Sequence, residues 1–215
     1  MMSKRIIIVD YQLGNLFSIN NAMQKIGAPA EISSSPEAIA SSDALIIPGV
    51  GAFGDAMNNM KRLGILEPIQ KSVQSGRPLL GICLGLQLLL SESEEFGIHP
   101  GLGIIPGRVR RFPNKIARQK VKVPHVGWNR IRVKDSGTAK RGFKLSDQYD
   151  GQFMYFVHSF YTDACDPADV VTETDYAGMP FCSSAARGNV FGCQFHPEKS
   201  GPVGLRMLKE WSDSL

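Results

Sequence analysis

Pro78-Leu79-Leu80-Gly81-Ile82-Cys83-Leu84-Gly85-Leu86-Gln87 decides the reading of this 215-residue chain. Pro78 to Ile82 is an apolar run suited to a strand and the greasy stretch after Cys83 suits a helix, so Cys83 falls at their junction. Gly81 and Gly85 flank it as G-x-C-x-G, the form of a nucleophile elbow. So sharp a turn brings backbone segments together, and side chains at the two glycine positions would collide. The thiol then sits at the tip, where the N-terminus of the following helix favours a thiolate. The Leu84 N–H points to where an oxyanion would form. An isolated cysteine in an apolar run is ordinarily an inert core thiol, but strand, glycines and helix together favour the reactive alternative. Gln87 lies one helical turn further on the same face, a polar amide in an apolar helix whose partner a bound substrate could be.

Working outward, the N-terminal side alternates strand and helix patterns. Arg5 to Val9 suits a buried parallel strand, and Leu16, Ile19, Met23 and Ile26 line one helical face. Ala44 to Ile47 is a second strand, ending in Pro48-Gly49-Val50-Gly51. Helical patterns over Ala52 to Leu63 and Leu66 to Val73 lead back to the strand before Cys83. Such alternation predicts βαβ units and a parallel sheet. Arg108 to Val133 and Gln152 to Cys193 read instead as strand after strand between turn residues. The chain closes on a helix with Ser200 as N-cap, Pro202 just inside, and Val203, Met207, Leu208 and Trp211 in one stripe. The expected fold is one α/β domain over residues 1–215, an open, mostly parallel sheet flanked by helices with an antiparallel extension.

Composition agrees: 43% hydrophobic and 20% charged residues are the proportions of a soluble globular protein. The apolar run closed by Asp10 is too short for a signal-peptide core, and Leu79 to Leu90 is too short and too interrupted for a membrane span, so the cytoplasm is the expected location. Cys83, Cys165, Cys182 and Cys193 form no CxxC pair and read as free thiols; with the four histidines dispersed, no metal site and no cofactor are expected. The net charge of +4 is concentrated in Arg108, Arg110, Arg111, Lys115, Arg118, Lys120 and Lys122. That stretch reads first as a solvated strand edge and second as a docking face for an acidic partner. Nucleic acid is disfavoured, because the interleaved aromatics of a stacking platform are missing.

A thiol nucleophile needs a base, and Gln194-Phe195-His196-Pro197-Glu198 supplies one. At extended spacing His196 and Glu198 project to one side, so the carboxylate can orient the imidazole and stabilise its protonated form. Pro48 to Gly51 ends a parallel strand, as Cys83 does, at the sheet edge where open α/β sheets bind ligands. Its backbone N–H groups could complete an oxyanion hole with Leu84. Glycines there also let a peptide take two orientations at small cost, so a partner could bias the productive one.

Together G-x-C-x-G-x-Q (Gly81 to Gln87) and H-P-E (His196 to Glu198) resemble the triad-type, class I glutamine amidotransferases, whose sheet is flavodoxin-like. The segments Pro48 to Met57, Val123-Pro124-His125-Val126-Gly127-Trp128-Asn129, Tyr155 to Phe160 and Phe195 to Ser200 narrow the likeness to the glutaminase subunits of imidazole glycerol phosphate synthases in histidine biosynthesis, which pair with a (β/α)₈-barrel cyclase. The resemblance implies that Cys83 attacks the carboxamide of glutamine, that His196, oriented by Glu198, protonates the departing ammonia, and that water then hydrolyses a glutamyl thioester. It further implies an oxyanion hole from Val50, Gly51 and Leu84, and a head-group site of Gln87, Glu95, Ser159 and Phe160. Asn15, Trp128, Tyr155 and Lys199 would face the cyclase, in a heterodimer. His125 and His158 read as structural. One departure is Gln12, where such subunits usually carry glycine in Asp-Tyr-Gly-x-Gly-Asn; the backbone there is expected to favour positive φ.

Three other readings compete. A paralogous subunit would supply ammonia for sugar amidation in surface polysaccharide synthesis. A stand-alone cysteine hydrolase or peptidase on the same fold would need no partner, and Gln87 argues against it. A non-catalytic binding module is opposed by the intact Cys83, His196 and Glu198.

Overall fold

A computed structural model describes residues 4–116, 119–134, 143–164 and 166–215. Its first half alternates as the hydrophobic pattern requires: β1 (Ile6–Val9), α1 (Leu16–Lys25), β2 (Ala30–Ser33), α2 (Pro36–Ser41), β3 (Ala44–Ile47), α3 (Phe53–Arg62), α4 (Leu66–Gln74) and β4 (Leu79–Ile82). The helix after Cys83 is shorter than its apolar run suggests. α5 spans only Leu84–Leu88, every residue buried, and the chain turns at once into β5 (Leu90–Ser93). With all its faces covered, the segment has no use for a long amphipathic stripe.

Strands dominate the second half: β6 (His99–Pro100), β7 (Ile105–Arg111), β8 (Lys115–Ile116), β9 (Gln119–Lys120), β10 (His125–Arg130), β11 (Arg132–Val133), β12 (Phe153–His158), β13 (Phe160–Ala164), β14 (Val170–Tyr176), β15 (Met179–Arg187) and β16 (Val190–Cys193). α6 (Gly201–Asp213) closes the chain.

The main sheet begins β2-β1-β3-β4-β16, and all of these neighbours are parallel. This is a flavodoxin-like order in which a strand from the far end of the chain takes the fifth place. β1, β3, β4 and β16 are buried at every residue, as a parallel sheet covered on both faces demands. Alternate residues feed two cores. Ile6 and Ile8 meet Met23 of α1 and Met207 and Trp211 of α6 on one face. Ile7 and Val9 meet Ile39 of α2, Phe53 and Met60 of α3 and Ile69 of α4 on the other.

Beyond β16 the sheet becomes antiparallel through β15, β13 and β7, with β14 alongside β15. A separate antiparallel ribbon, β10 with β12, runs in register from His125↔His158 to Arg130↔Phe153. It buries His125, Met154, Phe156 and His158 and exposes Val126, Trp128 and Phe153. Among the described residues, no helix is long and apolar enough to cross a membrane.

Two local expectations need correction. Ser200 precedes α6 but makes no side-chain cap; its hydroxyl instead donates to the His196 carbonyl (2.6 Å) and accepts from the Tyr155 N–H (3.0 Å). The segment after His196 is not extended: Pro197–Lys199 form a 3₁₀ turn, because Pro197 presets a helical φ.

Candidate active site

The elbow is built by exclusion of side chains. Cys83 has φ 54° and ψ −109°, a backbone region that costs a non-glycine residue about 1–3 kcal/mol and persists only when its surroundings enforce it. The Cys83 N–H donates to the Cys193 carbonyl at 2.7 Å, extending the pairing of β4 with β16. A Cβ at Gly85 would lie 1.9 Å from the Ile47 carbonyl oxygen, and one at Gly49 would lie 2.3 Å from the Leu84 Cβ. The glycines thus let β3, its following loop and α5 close around the nucleophile.

The other parts come from the same edge of the sheet, at the carboxyl ends of β1, β3 and β16. His196, fully buried, follows β16; its Nδ1 lies 2.8 Å from Glu198 Oε1, across the 3₁₀ turn. The Tyr155 carbonyl accepts from the His196 N–H at 2.9 Å, fixing the turn to β12. Burial alone would push the imidazole down, but its interactions with Cys83 and Glu198 outweigh this and push it up to about 10. Its Nε2 is buried; Cys83 is the group it interacts with, no hydrogen bond of ordinary geometry closes on it, and it is free to carry a proton to a reacting group.

A cavity of about 340 Å³ opens over Cys83, lined by Val50, Gly51, Leu84, Gln87, Glu95, Pro124, Val157, His158, Ser159 and Phe160. It therefore gathers every residue expected in the oxyanion hole and the head-group site. Two of them are held by bonds that the sequence did not indicate. Glu95 Oε2 accepts from the Phe53 N–H at 2.7 Å, so its carboxylate sits at the start of α3. Gln87 Nε2 is already committed, to the Phe160 carbonyl (3.1 Å) and to Gln194 Oε1 (2.9 Å), so substrate is not needed to satisfy that nitrogen.

Of the residues expected to face a partner, Trp128 is 54% exposed and packs edge-on against Tyr155 at 6.0 Å between ring centres, and Lys199 is exposed. Asn15 is half-buried, and its amide donates to Glu198 Oε1, placing it behind the triad as well as near the surface. Gln12 has φ 67°, as its place in a glycine position foretells, and its side chain accepts from Arg62.

Three residues were not singled out as site residues from the sequence. Gln194 is fully buried with Nε2 3.6 Å from Cys83 Sγ; its two-residue spacing from His196 was the available signal. The Tyr11 hydroxyl donates to the Pro48 carbonyl and anchors the glycine loop, and burial, with Cys83 nearby, pushes its pKa well above the usual phenol range and keeps it neutral. His158 lines the cavity. Its Nδ1 donates to the Phe160 carbonyl (2.7 Å) and its Nε2 lies 3.1 Å from His125 Nδ1, so both rings are structural and held neutral by burial, at about 3 and about 4.

Outside the site, burial pushes the Cys182 thiol up to about 12 and Cys193 well above its usual range, the mark of inert core thiols. In the basic stretch Arg108 pairs with Glu92 (3.7 Å) and Arg110 with Asp163 (3.2 Å), as on an ordinary solvated strand edge. Arg118 and Cys165 lie outside the described residues.

Comparison with known proteins places this geometry. The family described as "Glutamine amidotransferase class-I" matches residues 7–212. The chain is 48% identical to imidazole glycerol phosphate synthase subunit HisH of Syntrophotalea carbinolica, over 97% of this chain and 99% of that protein. It is 43% identical to the subunit of the same name in Geobacter metallireducens (96% and 97% covered) and 44% identical to that in Streptococcus gordonii (96% and 95%). Among solved structures, a glutamine amidotransferase superposes with a TM-score of 0.72 at 18% identity, covering 98% of this chain and 99% of that one. PurLQS from Thermotoga maritima superposes at 0.71 and 19% identity, with 99% of each chain covered. At these identities the two structures speak for the fold.

Proposed function

The chain belongs to the class-I glutamine amidotransferases and, within them, to the HisH subunits of imidazole glycerol phosphate synthase, and on that premise we propose how its residues release ammonia from glutamine for histidine biosynthesis. Glutamine enters the cavity with its head group toward Gln87, Glu95, Ser159 and Phe160 and its carboxamide over Cys83. The Cys83 sulfur attacks the carboxamide carbon. The oxyanion that forms is met by the Leu84 N–H, one of the orphan donors that open a helix, and by the backbone of Val50 and Gly51. His196, kept protonated beside Glu198, gives its Nε2 proton to the leaving nitrogen, and ammonia departs. The now neutral imidazole takes a proton from water, which adds to the thioester carbon. Collapse of that intermediate releases glutamate and expels the sulfur as a thiolate beside the again protonated His196. The steps are complete with these side chains, backbone donors and water.

One observation carries the reading most: a strained cysteine elbow and the expected head-group residues share one cavity, with an imidazole–carboxylate pair behind the sulfur.

The relatives are named as subunits of a synthase, and we extend the reading to a heterodimer with a (β/α)₈-barrel cyclase in the cytoplasm. The exposed side chains Val126, Trp128 and Phe153 lie on the ribbon whose Tyr155 carbonyl accepts from the His196 N–H, and suit the docking face. The loop from Pro48 to Gly51 suits a switch that the partner sets. Tyr11 holds Pro48 and Leu84 confines Gly49, which leaves Val50 and Gly51, the latter at φ 119°, to reorient.

The test is glutamate release with and without the cyclase and its phosphoribulosyl nucleotide. The complex should be much the faster, and Cys83→Ala should abolish glutamine use while ammonium salts still support the cyclase. Equal rates with and without partner would overturn the assignment to this synthase.

A further inference from the structure

Gln194 is the buried polar side chain at the nucleophile that the steps above do not use. Its Nε2 lies 3.6 Å from Cys83 Sγ, while its Oε1 accepts from Gln87 Nε2 at 2.9 Å. Amide nitrogen and oxygen are interchangeable in shape, so the assignment must come from the surrounding bonds. Here they settle it. The Phe160 carbonyl, which can only accept, binds Gln87 Nε2 at 3.1 Å and so fixes the Gln87 amide. The same Gln87 nitrogen then meets Gln194, which must answer with its oxygen. That leaves the Gln194 N–H group directed at the sulfur. His158 Nδ1, 2.7 Å from the same Phe160 carbonyl, anchors the chain at its far end. The Gln87, Gln194, His158 and Cys83 side chains are all buried, so water does not compete for the donor.

We propose that Gln194 donates a hydrogen bond to the sulfur of Cys83 and holds it as a thiolate in the attacking position, its orientation imposed by the chain Phe160–Gln87–Gln194. The bond counts only while the sulfur is anionic. Once the thioester forms, the sulfur loses its charge and the donor its hold, so the interaction favours the free nucleophile and its regeneration. Gln87 thereby has two tasks: its carbonyl oxygen remains for the cavity, and its nitrogen sets the amide that faces the nucleophile.

The inference rests on Cys83 being the nucleophile, and the experiment separates the two. Iodoacetamide alkylation of Cys83 is followed in the assembled complex without glutamine, from about pH 5.5 to about pH 9, with Cys83→Ser as the blank. Gln194→Met keeps the length of the side chain without the donor. Gln194→Glu keeps an oxygen for Gln87 and turns another toward the sulfur. The Met variant should alkylate about tenfold more slowly than the unaltered chain near pH 6.5, the loss of one hydrogen bond to a charged group, and match it near pH 9. The Glu variant should be slower still at neutral pH, and kcat for glutamine should fall in both with KM little changed. Either variant that melts cooperatively yet alkylates like the unaltered chain at both pH values overturns the proposal. In the unaltered protein the Gln194 side-chain amide protons should shift as Cys83 ionises, and protons that hold still overturn it whether or not the variants fold. If alkylation responds as expected but the complex releases no glutamate, the functional reading fails and the hydrogen bond stands.

Discussion

The side-chain amide of Asn15 donates to the Glu198 carboxylate, whose same oxygen holds His196 Nδ1. The loop after β1 thus reaches across the sheet edge to the turn after β16 and fixes the far end of the triad. Glu198 Oε2 has no partner, so Asn15 is the only side chain besides His196 bonded to this carboxylate among the described residues. Asn15→Ala should lower kcat of the complex by about tenfold, as expected for losing one charge-assisted bond, with a small effect on KM. Asn15→Asp sets a second carboxylate against Glu198 and should cost more at neutral pH, recovering in part toward acid. Glutamate release at two pH values distinguishes these from simple unfolding.

The buried imidazoles make stability depend on pH in opposite directions. His196 is raised from 6.5 to about 10, so it binds its proton more tightly folded than unfolded. Its contribution is complete below about pH 6.5 and is lost as pH rises through about 10. His125 and His158 are lowered to about 4 and about 3, so theirs is present above about pH 6.5 and lost as pH falls through those values. Urea midpoints should therefore peak near neutrality. Glu198→Gln, which weakens the hold on the His196 proton, should flatten the alkaline limb. His125→Phe fits the stack between Tyr176 and Phe156 and should flatten the acid limb. Midpoints that respond to neither substitution would refute this origin of the profile.

Close approach at the elbow makes a sharp contrast between glycines. At Gly85 an added Cβ would lie 1.9 Å from the Ile47 carbonyl oxygen, which belongs to the central sheet and cannot yield. Gly85→Ala should cost roughly 3 kcal/mol or more and displace the nucleophile. Gly64, at φ 68°, has open space where a Cβ would project, with nothing within 4 Å. Gly64→Ala there meets only backbone strain and should cost about 1 kcal/mol with activity intact. Thermal melting of the two variants beside glutamate release checks both claims.

What the sequence disclosed follows from where the physics is local. The elbow was legible because its glycines and strand–helix switch lie within a few residues of Cys83, and the parallel half because β1, β3 and β4 are continuous apolar runs. β2 and α2 were missed because Ala30–Ser33 is a half-exposed edge and Pro36–Ser41 is one short helix. The links Asn15–Glu198, Glu95–Phe53 and Gln194–Cys83 join segments far apart in the chain, and no spacing encodes them. Even the pairing of His196 with Glu198 arises from a 3₁₀ turn rather than the extended spacing that suggested it.

The ribbon of β10 and β12 connects the surface to the chemistry. Its outer face carries Trp128, 54% exposed, packed edge-on against Tyr155, whose backbone bonds the His196 N–H and the Ser200 hydroxyl. A large aromatic held half-open at the surface is the residue type that dominates binding when a partner covers it. Trp128→Ala should weaken the complex by about 2 kcal/mol, roughly thirtyfold in affinity, measured by calorimetric titration with the cyclase. Because Trp128 does not line the cavity over Cys83, the variant alone should alkylate at its usual rate. At saturating partner its glutaminase rate should recover if Trp128 only binds. It should stay low if the indole also presses Tyr155 onto the His196 turn when the partner docks. An unchanged affinity would remove this face from the interface.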